Sequence, residues 1–209
     1  TGFTMQAAQF AEEMNGETIT WMRELASAKN AVIAGSLIIK ENNQYFNRFI
    51  WMQADGKCIS YDKKHLFAYT GEDKAYTPGD KRVIVSLGGW KFLIQICYDL
   101  RFPELYRRLA PLNLIVMPAA FTYTTGKVHW ELLIRARAVE NQCYVLASAQ
   151  GGLHENGRRT WGQGMLVDPW GEILAQLPTG EGLVLGKMEP ERLREIRTNL
   201  PALNHRQFN

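Results

Sequence analysis

Cys97 ends the apolar run Phe92-Leu93-Ile94-Gln95-Ile96 and is followed by Tyr98-Asp99-Leu100-Arg101-Phe102-Pro103-Glu104. Such a run reads as a strand buried on both faces. Pro103 suits the first position of a helix and pushes Phe102 toward extended geometry. Cys97 is therefore expected at a strand's carboxyl end, just before a helix amino terminus. Fixed partial positive charge there favours thiolate over thiol, as a nucleophile requires. The alternative is that the cysteine only packs, since cysteines are among the most buried residues. A nucleophilic cysteine also needs a partner. In Asp62-Lys63-Lys64-His65-Leu66-Phe67, Lys63 is expected where a strand gives way to a long loop. There an ammonium could hold a thiolate and an oxyanion together, or simply be a solvated surface charge.

The elements that must position these residues alternate in type. Apolar Ile19, Met22, Leu25 and Ala26 give Thr18 to Asn30 a helical stripe. Ala31 to Ile39, Tyr45 to Met52 and Cys58 to Tyr61 read as a strand meander. Its turns are Glu41-Asn42-Asn43-Gln44 and Ala54-Asp55-Gly56-Lys57. Leu66 to Asp80 reads as loop. Arg82 to Leu87 and Trp90 to Ile96 form a hairpin about Gly88-Gly89. Helices are expected over Glu104 to Ala110, Trp130 to Asn141 and Pro190 to Leu200. Strands are expected over Leu114 to Met117, Tyr144 to Ala149, Gly164 to Val167, Ile173 to Gln176 and Leu183 to Met188. Buried strands mixed with helices and hairpins predict a layered α/β domain with a mixed sheet.

With 209 residues, 46% hydrophobic and 22% charged, the chain matches an ordinary globular protein able to bury one large core. A net charge of +3, with its cations scattered, argues against nucleic acid as a partner. The pairs Arg107-Arg108 and Arg158-Arg159 read as solvated faces. Three cysteines without paired spacing argue against a disulfide framework or a zinc site and fit a reducing, cytoplasmic compartment. No apolar run is long enough for a membrane span. Thr1 to Met5 carry neither a basic nor an apolar leader stretch.

Five motifs resemble one family. Lys63-Lys64-His65-Leu66-Phe67 is similar to the K-x-H-L-F signature of the nitrilase superfamily (carbon–nitrogen hydrolases), and Ile96 to Glu104 to the nucleophile motif of its Nit branch. Glu72, seven residues before Gly79, matches the spacing of the family's supporting glutamate. His129-Trp130-Glu131 with Arg135 to Gln142 resembles the helix behind its site, and Asp168-Pro169-Trp170-Gly171 its D-P-x-G turn. The resemblance implies one domain over residues 1–209 with a four-layer α-β-β-α sandwich that pairs into homodimers or higher homo-oligomers. It implies amide hydrolysis through a thioester, with Cys97 as nucleophile. Lys63 and the Tyr98 backbone N–H would stabilise the oxyanion, and Glu72 would position the lysine or the attacking groups. Tyr98 and Phe121 are candidate walls of the substrate pocket, and also candidate core. Asp99 and Arg101 are expected to pair and fix the turn; His65 and His129 are expected to be structural. No metal or organic cofactor is implied.

The family's general-base glutamate lies in a P-E motif on an N-terminal strand. A segment like Thr1-Gly2-Phe3-Thr4 follows shortly after it in the omega-amidase branch. The chain is thus expected to begin just past that glutamate and to lack N-terminal strands. Glu12, Glu13 and Glu17 do not match the motif. Either the parent protein is an amidase of which this sequence is an incomplete copy, or the chain is a natural protein that has lost the base and serves as a non-catalytic binding module. Tyr61 to Phe67 look closest to omega-amidases, which cleave the terminal amide of α-keto dicarboxylate monoamides. Phe121-Thr122 and His129 to Leu133 look closer to deaminated-glutathione amidases. Either substrate carries a carboxylate, for which a cation is required.

Overall fold

The structure is a computed structural model that describes residues 4–107, 111–178 and 180–207. Two compact units result, residues 4–83 and 84–207. In the first, α1 (Ala7–Phe10) and α2 (Glu17–Lys29) precede an antiparallel sheet of β1 (Ile33–Glu41), β2 (Gln44–Met52) and β3 (Cys58–Asp62), and a short helix α3 (Glu72–Ala75) follows. Asn42 and Asn43 both take positive φ, 49° and 61°, as a two-residue hairpin turn requires. That turn sets the register Glu41↔Gln44 through Ile33↔Met52. Ile19, Met22 and Ala26 of α2 meet Ile39, Ile50 and Met52 of the sheet in one buried cluster. The helical stripe and the strand alternation therefore face each other. The loop expected over Leu66 to Asp80 carries α3 and a 3-10 turn, Ala68–Thr70.

The second unit holds β4 (Ile84–Leu87), β5 (Trp90–Ile94), α4 (Glu104–Arg107), β6 (Leu114–Ala119), α5 (Tyr123–Asn141) and β7 (Tyr144–Ala149). After these come β8 (Gly151–Leu153), β9 (Arg159–Trp161), β10 (Met165–Val167), β11 (Ile173–Gln176) and α6 (Pro190–Asn199). Its main sheet has the order β11-β10-β7-β6-β5-β4. β5, β6 and β7 run parallel, and the flanking strands pair antiparallel, so the sheet is mixed. Successive residues of β6 divide between its faces. Ile115 and Met117 join Trp130, Ile134 and Ala138 of α5. Leu114 and Val116 join Tyr144 and Leu193 of α6. Fully burying each such side chain contributes about 1.5–3 kcal/mol, so α5 is fixed to the sheet mainly by Trp130 and Ile134, both 0% exposed.

Two expected elements differ in the structure, and one hairpin was not expected. α5 starts seven residues before Trp130, at Tyr123, because polar Thr124, Thr125 and Lys127 concealed the helical period. β8 and β9 form a hairpin with no strong apolar alternation to announce it. Leu183 to Met188 is not a strand. Leu183 and Leu185 point outward, at 84% and 76% exposure, while Met188 packs against the sheet. Alternation predicts an extended backbone, but a strand also needs a ladder partner. Arg108 and the expected helical residues 109–110 lie outside the described residues, as do Thr1 to Phe3.

Candidate active site

Lys63 follows β3 directly, and its backbone N–H donates to the Asn47 carbonyl of β2 at 2.9 Å. The side chain turns inward. Nζ donates to both oxygens of Glu72, at 2.9 Å (Oε1) and 2.6 Å (Oε2). Both side chains are 1% exposed. The carboxylate accepts two further bonds, from Asn47 Nδ2 at 3.1 Å and from the Phe67 backbone N–H at 2.6 Å. A buried ion pair is tolerable only when its remaining hydrogen-bonding capacity is satisfied, and here four donor contacts converge on one carboxylate. Gly79 closes the loop by donating to the Lys63 carbonyl at 3.0 Å. A Cβ at Gly79 would collide with the Asp62 carbonyl. Burial, and then the Glu72 charge, push the nearby Tyr76 hydroxyl up to about 12.

In the second unit β5 delivers Cys97 as the first residue of a 3-10 helix, Cys97–Arg101. The expected strand-to-helix transition is present, but the helix is a short 3-10 turn. Nearby backbone N–H groups, more than a long macrodipole, supply its positive end. Cys97 has φ +47°, a left-handed conformation that residues with a Cβ adopt rarely and that clusters at functional sites. The Asp99 carboxylate accepts the Ile96 N–H at 3.0 Å, so Asp99 does fix the turn. Arg101 is directed elsewhere. Both its terminal nitrogens lie 3.3 Å from His129 Nδ1. Its guanidinium stands 5.9 Å from the Tyr98 ring centroid and 5.3 Å from that of Phe121. Tyr98 is half-buried and meets Phe102 edge-on at 5.2 Å. Phe121 is 5% exposed and packs on Trp130 at 4.9 Å.

The structure therefore brings Lys63 and Glu72 together in the first unit, and Cys97, Tyr98, Arg101, Phe121 and His129 into one region of the second. Asn47 and the Arg101–His129 contact escaped sequence reasoning. Asn47 reaches the carboxylate through strand register, for which the sequence carries no motif. Asp168 of the D-P-W-G turn is structural. Its Oδ1 accepts the backbone N–H groups of Trp170 and Glu172, and its Oδ2 accepts Arg192 at 3.0 Å. The other two cysteines lie in settings hostile to a thiolate. Burial pushes Cys143 up to about 12 and raises Cys58. Among the described residues, no group of His, Cys, Asp and Glu could hold a metal, and no helix is long and apolar enough to cross a membrane.

A family model described as carbon–nitrogen hydrolase matches residues 1–198. An omega-amidase of Yersinia enterocolitica is 37% identical over 98% of this chain and 79% of its own length. A deaminated glutathione amidase of the same organism is 42% identical over 71% of this chain; the match spans 55% of that relative. Among solved structures, a CN-hydrolase superfamily protein of Xanthomonas campestris, carrying an arsenic adduct in its active site, superimposes with a TM-score of 0.94 at 32% identity. That match covers 100% of this chain and 82% of the other. The α/β fold expected from the sequence is thereby shown.

Proposed function

Because this chain belongs to the carbon–nitrogen hydrolase family, we propose that it hydrolyses the terminal amide of a small carboxylate-bearing metabolite. The observation that carries the site assignment is Cys97 held at φ +47° at the head of its turn. The Cys97 sulfur attacks the amide carbonyl carbon, and the C–N bond breaks. Ammonia leaves with the thiol's proton, and a thioester remains. Water then attacks the thioester carbon, releasing the carboxylic acid and restoring the thiol. Lys63, oriented by Glu72, donates to the oxyanion of each tetrahedral intermediate, and the Tyr98 N–H is the second donor. Donors fixed before the reaction need no reorganisation as charge develops.

Arg101 is the cation we assign to the substrate carboxylate, because it lies against both expected pocket walls, Tyr98 and Phe121. A planar guanidinium suits two-point recognition of a carboxylate. We read both units as parts of one catalytic domain, a reading supported by the single family match running through them. We also propose a cytoplasmic homodimer. Val128, Leu132 and Val139, at 65%, 65% and 50% exposure, form an open apolar stripe on α5. Light scattering on the wild type and on Leu132→Glu tests the dimer; a monomeric wild type would refute it.

Omega-amidase activity is the first choice, since the omega-amidase relative aligns over almost the whole chain. The higher identity of the deaminated glutathione amidase favours that substrate as the second reading. The test is ammonia release from α-ketoglutaramate and from deaminated glutathione by the protein expressed from its complete reading frame, with Cys97→Ala alongside. Turnover of either amide that is lost in Cys97→Ala is expected. Turnover that survives would remove Cys97 from the mechanism. No turnover of any small amide would point to a non-catalytic binding module.

A further inference from the structure

The turn that carries Cys97 is held at both ends. At the front, Asp99 accepts the Ile96 N–H. At the back, Arg137 of α5 donates its Nε–H to the Leu100 carbonyl at 2.9 Å. Carbonyls in the last turn of a helix have no partner within it, and one left unpaired when buried loses its hydration without compensation. Arg137 is itself immobilised. It is 5% exposed, donates to Glu140 at 2.7 Å, and lies 5.3 Å from the Tyr106 ring centroid. Tyr106 belongs to α4, the next helix after the turn. One guanidinium therefore ties the nucleophile turn and α4 to α5, which is anchored in the core by Trp130 and Ile134.

This clamp matters because of the backbone at Cys97. A non-glycine residue at φ +47° is strained and persists only where the surroundings over-determine it. Without the rear contact the turn could relax toward an ordinary helical φ, and the Cys97 side chain would swing away from its present direction. We propose that Arg137 is a positioning residue for Cys97, acting through the Leu100 carbonyl to keep the strained turn, and with it the thiol, in its reactive orientation. The proposal rests on the reading of Cys97 as nucleophile. A lysine at 137 would keep the charge but lose the planar fork that serves Leu100 and Glu140 together.

The test compares wild type, Arg137→Gln and Arg137→Lys in the full-length protein. The readouts are the iodoacetamide alkylation rate of Cys97 across neutral and alkaline pH, kcat and KM for α-ketoglutaramate, and thermal melting. Leu193→Ala in α6 controls for lost stability. The expected result is a kcat lowered ~10–100-fold with KM little changed, as for a misplaced reacting group. The alkylation profile should move in parallel, Arg137→Lys should fall between, and Leu193→Ala should melt lower with normal kcat. Variants that melt lower yet alkylate and turn over like wild type would make Arg137 merely structural and overturn the proposal. If Arg137→Gln does not fold, Arg137→Lys decides. Alkylation needs no substrate, so it separates the two ideas. A wild-type Cys97 no faster than Cys58 sinks the nucleophile reading. A fast wild type with equally fast variants sinks only the role of Arg137.

Discussion

Lys63 and Glu72 form a two-pronged ion pair, Nζ to Oε1 at 2.9 Å and to Oε2 at 2.6 Å, with both side chains 1% exposed. Removing one partner of such a pair strands the other charge away from water, at a cost of about 3–5 kcal/mol. Glu72→Ala should therefore lose stability of that order by urea unfolding, and amidase activity with it. Glu72→Gln keeps an acceptor for Asn47 or the Phe67 N–H and should unfold at a midpoint between the two. A Glu72→Ala protein as stable as wild type would show that the pair contributes little.

The three cysteines should react unequally. Cys143 is 0% exposed and pushed up to about 12 by burial, and Cys58 is raised by the same cause. Since the thiolate is the reactive form, iodoacetamide at neutral pH should label Cys97 first, as read by peptide mass spectrometry of briefly treated folded protein. Uniform labelling of all three would count against Cys97 as the poised thiol.

Cys143 also makes stability depend on pH. Its folded pKa lies above its ordinary value of 9.0, at about 12. The stabilisation is complete below pH 9 and is lost as pH rises toward 12, because the unfolded chain releases a proton that the folded protein retains. The unfolding free energy measured in urea should fall, on account of this group, by at most about 1.4 kcal/mol per pH unit. Cys143→Ala, though less stable at neutral pH because of the cavity it leaves, should show a shallower decline just above pH 9. Buried Tyr76 and Tyr106, both raised by burial, extend the decline at higher pH in either protein. An unchanged slope in Cys143→Ala would refute the assignment.

Arg101 should govern affinity for the substrate's charged end. Arg101→Met is expected to raise KM for α-ketoglutaramate by ~10–100-fold, in line with the loss of a charge-assisted hydrogen bond. A neutral amide lacking the carboxylate should be affected far less. Equal losses on both substrates would mean that Arg101 supports the turn instead of reading the carboxylate.

The sequence by itself determined the type and order of the elements that frame the chemistry. Apolar Phe92 to Ile96 before Cys97, and Pro103 after it, specify a strand, a break and a helix start, because side-chain burial and proline's fixed φ act locally. The stripe of Ile19, Met22 and Ala26 likewise declared the face that α2 buries. The resemblance named Lys63, Glu72 and Cys97 as a set, and the structure places Lys63 on Glu72. Only the tertiary structure decided which polar groups meet. Asn47 reaches Glu72 through the register of β2 on β3, and Arg137 reaches Leu100 across 37 residues because α5 packs behind the turn. It also turned Arg101 toward His129, Tyr98 and Phe121, and left Leu183 to Met188 without a ladder. Hydrogen bonds between distant residues depend on register and packing, which no local pattern encodes.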